Sequence, residues 1–170
     1  YGAGTEEIMM IASPARINII GEHIDYNGGK VFPAAINRCL YVLLRKRSDT
    51  KIIYDDIRFP GALEFSSTET FCYRRENQYA NYLNGMLAML QKGGYTLTSG
   101  FEVLFFSKLP AGGGISSSAA LEVGFGRAVG ELFDFKVDAV ELAKMGQESE
   151  HVFMNMQCGI MDQFSIAMGK

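Results

Sequence analysis

The chain has 170 residues, of which 48% are hydrophobic and 21% charged, and its formal net charge is -3. That length allows one domain with a real core, and the composition is that of an ordinary soluble globular protein. With no basic run and no apolar stretch near the ~20 residues of a bilayer span, neither nucleic acid nor membrane is expected as a main partner.

In chain order, the run "IMMIA" is continuous and apolar, but too short and too poor in basic flank for a signal peptide. "RINII" alternates, with Ile17 and Ile19 on one face and Arg16 and Asn18 on the other, the period of a strand. "KVFPAAI", "CLYVLLRKR" and "KIIYDD" are rich in strand formers and separated by turn residues. In "NQYANYLNGMLAMLQKGG" the period changes to that of a helix. Tyr79, Tyr82, Leu83, Met86, Leu87 and Leu90 share one stripe, and Gly93 and Gly94 stop it. "FEVLFF" reads as a buried strand that runs into a glycine loop and a further helix, beginning near Ala119. Asp138 and Glu141 make a capping box for the next helix, expected to carry Glu148 and Glu150. Strands followed by mixed helices and strands predict an α+β domain with helices on one face of a sheet. Cys39, Cys72 and Cys158 are odd in number and lack a CxxC pair, which fits free thiols in a reducing cytoplasm. The chain starts at Tyr1 rather than Met and stops at "AMGK", so a piece of something longer is expected.

Two stretches carry chemistry. "LPAGGGISSSAALEV", residues 109–123, places three glycines and three serines before a helix. Glycines let the backbone approach a ligand, and a helix N-terminus offers unpaired N–H groups and partial positive charge. Together they form an anion cradle suited to phosphate, with serine hydroxyls as donors and a magnesium ligand. The loop is neither a GxxxxGK phosphate loop nor a dinucleotide fingerprint, and a plain strand-to-helix turn with serine caps is the alternative.

The second stretch, residues 13–36, crowds Glu22, His23 and Asp25 between apolar segments. A solvated turn is one reading, and a weakly spaced metal site another. Polyol recognition is the third, because ionised carboxylates are strong acceptors for sugar hydroxyls. Farther on, Asp162 lies among Ile160, Met161 and Phe164, an expensive place for an unpaired aspartate. Arg16 is the candidate cation; a structural ion pair and a catalytic one are both open. Glu150 could be a solvated helix residue, or a second oxygen ligand for Mg²⁺ opposite the serines.

"PARINIIGEHIDYNGG", "LPAGGGISSSAALEV" and "CGIMDQF", in that order, resemble the GHMP kinase superfamily and, within it, the galactokinases. "YANYLNG" and "QESEHVF" between them extend the likeness over nearly the whole chain. The resemblance implies a GHMP-kinase N-terminal domain, ribosomal protein S5 domain 2-like, spanning residues 1–170, with a C-terminal lobe of the same protein absent from this chain. It implies a cytoplasmic kinase that uses ATP and Mg²⁺ to convert D-galactose into α-D-galactose 1-phosphate. Asp162 would take or orient the C1 hydroxyl proton, and Arg16 would stabilise the transition state. Glu22, His23, Asp25 and the backbone at Gly159 would bind the sugar. Gly112, Gly113, Gly114, Ser116, Ser117 and Ser118 would wrap the ATP phosphates, and Ser118 and Glu150 would hold Mg²⁺. Tyr79 and Tyr82 lie where the family has aromatics near adenine, although a tryptophan is common at the first position. Ala15 replaces the usual glycine before the arginine. The fragment alone is expected to turn over poorly. The alternatives are a kinase for N-acetylgalactosamine, galacturonic acid or arabinose, or a non-catalytic galactose sensor; intact "SSSAA" and Asp162 favour the enzyme.

Overall fold

The computed structural model describes residues 7–110 and 113–169. Strands β1 (Met9–Ile20), β2 (Phe32–Lys46), β3 (Lys51–Asp56), β4 (Leu63–Ser66) and β5 (Phe101–Ser107) form one sheet in the order β1-β2-β5-β3-β4. It is mixed: β3 runs parallel to β5, and the other pairs are antiparallel. Helices α1 (Ala80–Lys92), α2 (Ser117–Phe133), α3 (Ala139–Glu148) and α4 (Met161–Met168) complete the fold.

Period-two alternation sets the buried face of the sheet. Leu40, Val42 and Leu44 of β2, Ile52 and Tyr54 of β3, and Phe101, Val103 and Phe105 of β5 all point into one core. The helices cover that face. The predicted stripe of α1 buries Leu83, Met86, Leu87 and Leu90, and the helix ends at Gly93 as expected. Phe125 of α2 meets Tyr54 edge-on at 5.7 Å. The Tyr54 hydroxyl, wholly buried, donates to Asn84 Oδ1 of α1 at 3.2 Å, so its burial leaves no donor unmet. On the opposite face Glu102 is gripped by Arg45 and Arg47.

The strands differ from the sequence expectation in extent. "IMMIA" and "RINII" belong to one strand, β1, and "KVFPAAI" and "CLYVLLRKR" to another, β2. Asn37 and Arg38 do not break β2; the pairing steps over them, from Pro14↔Cys39 to Ala15↔Ile36, as a bulge. The bulge also settles which face of "RINII" turns inward. Arg16 and Asn18 are half-buried, whereas Ile17 and Ile19 are exposed. Glu150 does not belong to the helix that precedes it: α3 ends at Glu148, and residues Ser149–Phe153 form a π turn. Asp138 caps α3 through Glu141 N at 2.8 Å, but the Glu141 carboxylate accepts from the Tyr95 hydroxyl instead of closing the box. Cys39, Cys72 and Cys158 are free thiols. Among the described residues no helix is long and apolar enough to cross a membrane.

Candidate active site

Residues from the two ends of the chain line one pocket of about 670 Å³. Arg16, near the end of β1, and Glu22, His23, Asp25 and Tyr26 of the following loop supply one wall. Ser118 in the first turn of α2, Glu150 and His151 of the π turn, Gly159 and Asp162 supply the other.

The arginine and aspartate expected to pair do so. Arg16 Nη2 lies 2.7 Å and Nε 2.8 Å from Asp162 Oδ1. Arg16 Nη1 donates to the Gly114 carbonyl at 2.7 Å, and its backbone N–H to Ile115 O at 3.3 Å. The strand carrying the arginine is thereby tied to the glycine loop. Ser116 donates to the other carboxylate oxygen, Asp162 Oδ2. The alternative reading of a serine-capped turn fails at this position: Ser116 occupies the N-cap position of α2, but its side chain caps no backbone N–H.

The acid patch is built by close approach. Asp25 Oδ2 accepts from Met161 N at 3.0 Å, which docks the loop after β1 onto the start of α4. A Cβ at Gly159 would lie 1.6 Å from that same oxygen, so only glycine leaves room for the carboxylate. His23, in the left-handed region at φ 57°, meets the Tyr26 hydroxyl through Nδ1 at 2.7 Å. His151 Nε2 lies 2.7 Å from Cys158 O and 3.2 Å from Cys158 N. Protonated there it donates to the carbonyl, and unprotonated it accepts the amide, so either way it pins the segment leading to Gly159.

Behind the pocket, Glu122 of α2 is fully buried and accepts from Ser149 Oγ at 3.1 Å. Burial first, and then the neighbouring Glu150, raise its carboxyl well above the usual range. The same two influences push the Cys158 thiol up.

Glu22, Asp25, Glu150 and Asp162 place four carboxylates around the pocket against the one guanidinium of Arg16. Such a surface suits a polyhydroxyl ligand on its acid side. A polyanion could share it only with a cation between them.

Two family models match the chain. GHMP kinases N terminal domain covers residues 81–170, and Galactokinase galactose-binding signature covers residues 1–46. The chain belongs to the GHMP kinase family. A galactokinase of Clostridium beijerinckii is 44% identical over 160 residues, which are 93% of this chain and 41% of that protein. The crystal structure of Lactococcus lactis galactokinase complexed with galactose superimposes with a TM-score of 0.92 at 41% identity, over 96% of this chain and 42% of that one. Methanococcus jannaschii mevalonate kinase gives 0.81 at 21% identity, over 99% of this chain and 53% of that one, which shows the shared fold. The chain spans about two fifths of the length of the galactokinases it matches.

Within this GHMP kinase domain the expected site residues fall into two groups. Arg16, Glu22, His23, Asp25, Ser118, Glu150, Gly159 and Asp162 line the common pocket. Gly114 and Ser116 adjoin it through Arg16 and Asp162, while Gly113 and Ser117 line neither wall. Gly112 lies outside the described residues. Tyr79 and Tyr82 are not part of the pocket wall. Tyr79 stacks on Phe59 at 5.2 Å, and burial followed by the charges of Asp56 and Asp55 pushes its hydroxyl up to about 12. Sequence reasoning missed Tyr26 and His151. The tyrosine in "DYNGG" stands beside the acid cluster, and His151 is the second of only two histidines, so both carried a signal.

Proposed function

We propose that this domain is the sugar- and ATP-binding half of a kinase that transfers the γ-phosphoryl group of ATP to the C1 hydroxyl of D-galactose, giving α-D-galactose 1-phosphate. The observation that carries the reading is the shared pocket of the Glu22–Asp25 patch and the Arg16–Asp162 pair, within a chain whose first 46 residues match a galactose-binding signature.

Glu22, His23 and Asp25 hold the sugar through charge-assisted hydrogen bonds to its hydroxyls, and Gly159 keeps the floor beneath them open. Asp162 receives the C1 hydroxyl's hydrogen bond and takes its proton as the new O–P bond forms and the bond to the β-phosphate oxygen breaks. Arg16 neutralises charge beside it. Gly113, Gly114 and Ser117 wrap the phosphates at the N-terminus of α2. Tyr79 and Tyr82 serve the adenine end.

The donor set fits Mg²⁺. Among the described residues no three His, Cys, Asp or Glu side chains cluster as a metal cage, while Ser118 and Glu150 face one pocket with oxygen ligands. Mg²⁺ asks for one or two protein oxygens and takes the rest from phosphate and water. Bound there, it neutralises phosphate charge next to four carboxylates.

The second lobe of the same protein is the remaining partner, and a cytoplasmic location accords with three free thiols. Exposed Ile17, Ile19, Ile20 and Phe32 flank the sugar-side loop and offer that lobe an apolar seat. The residues 1–170 alone therefore phosphorylate galactose poorly. The test is phosphorylation of a sugar panel by the two-lobed protein and its Asp162→Ala variant. Galactose 1-phosphate from the parent and none from the variant is the expected result. Equal rates for both, or a product phosphorylated elsewhere on the ring, would overturn the reading.

A further inference from the structure

We infer that Ser116 is a positioning residue for Asp162 and not a phosphate ligand, an assignment that rests on the galactose-kinase reading above. Ser116 sits in the left-handed region, with φ 56° and ψ 50°, where a residue with a Cβ is disfavoured. Glycines stand at the preceding positions 112–114, so the loop already uses the residue that fits such geometry best. A hydroxymethyl group kept here against the local preference calls for a task.

Its hydroxyl does not serve the helix: no backbone N–H of α2 is capped by it. It donates instead to Asp162 Oδ2, while Arg16 Nε and Nη2 occupy Oδ1 at 2.8 and 2.7 Å. Donors on both oxygens fix the plane of the carboxylate, and a second lone pair on Oδ2 is left to receive a sugar hydroxyl. The loop is held in place to do this. Arg16 Nη1 reaches Gly114 O at 2.7 Å, and Arg16 N reaches Ile115 O at 3.3 Å, on the two residues before the serine. A hydroxyl donating to the aspartate is turned away from phosphate, whereas Ser118, two residues on, lines the pocket.

The test compares Ser116→Gly and Ser116→Ala in the two-lobed protein, measuring kcat, KM for ATP and melting temperature. Glycine removes the hydroxyl and relieves the backbone; alanine removes the hydroxyl alone. We expect kcat to fall about 10- to 100-fold in both, the range for losing a hydrogen bond to a charged group. KM for ATP should change less than twofold, and the glycine variant should melt no lower than the parent. A smaller fall in kcat, a larger change in KM for ATP, or a kcat loss accompanied by a lower melting temperature in both variants overturns the assignment. A parent that fails to phosphorylate galactose removes the reading beneath it, and this assignment with it, before either variant is compared.

Discussion

Arg16 and Asp162 stand 146 positions apart in the chain, yet two guanidinium nitrogens converge on a single carboxylate oxygen, Oδ1, at 2.7 and 2.8 Å. The third nitrogen holds the Gly114 carbonyl. A lysine at 16 keeps the charge but has one nitrogen for three acceptor contacts. Arg16→Lys should therefore lower kcat of the two-lobed protein about 10²- to 10³-fold, the range for losing a positioned charge-stabilising group. Steady-state assays with saturating ATP and galactose measure it.

Gly159→Ala tests the sugar side. The added Cβ would fall 1.6 Å from Asp25 Oδ2 and 2.1 Å from its Cγ, so the carboxylate must leave its hydrogen bond to Met161 N. KM for galactose should rise about tenfold or more, the worth of one charged hydrogen bond, with KM for ATP unchanged. A parallel rise in both constants would place the damage elsewhere.

Gly85→Ala tests the support of the π turn. Its Cβ would lie 2.2 Å from Ser149 Oγ and 3.3 Å from Phe153 Cδ1, and Ser149 is fully buried with its hydroxyl committed to Glu122. Overpacking of this kind costs about 1–3 kcal/mol. Denaturant unfolding should show that loss at unchanged m-value.

Glu122 gives stability a pH dependence of defined sign. Its carboxyl is raised above the ordinary 4.5, chiefly by burial, so the native state keeps a proton that the unfolded chain releases. Below about pH 4 both states are protonated and the group costs nothing; above about pH 4.5 it costs progressively more, up to its folded value. Glu122→Gln keeps an acceptor for Ser149 and removes that cost. The variant's gain in melting temperature should be absent near pH 4 and grow toward pH 7. A constant gain across that range would show that Glu122 titrates alike in the folded and unfolded chain.

Much of this was legible in the sequence where chemistry and period agree. The stripe of α1 follows from six apolar side chains at helical spacing, and Arg16 with Asp162 follows from the cost of a lone aspartate among Ile160, Met161 and Phe164. Continuity was harder to read. Asn37 and Arg38 look like turn residues, but a bulge carries them inside β2, and pairing partners rather than local preference decide that. Glu150 reads as part of the helix that carries Glu148, because the π turn that holds it instead has no local signature. Ser116 reads locally as one of three serines of a phosphate loop, and its partner in the fold lies 46 residues away.

The long span between the two walls also sets an order of events during synthesis. At roughly 5–20 residues per second, Asp162 leaves the ribosome roughly seven to thirty seconds after Arg16, given the 146 positions between them. Through that interval Asp25 has no Met161 amide to dock on and Arg16 no carboxylate to hold. Nascent chains cut short before Gly159 thus lack both the Asp25–Met161 contact and the Arg16–Asp162 pair, so the two walls of the pocket can join only once α4 has been made.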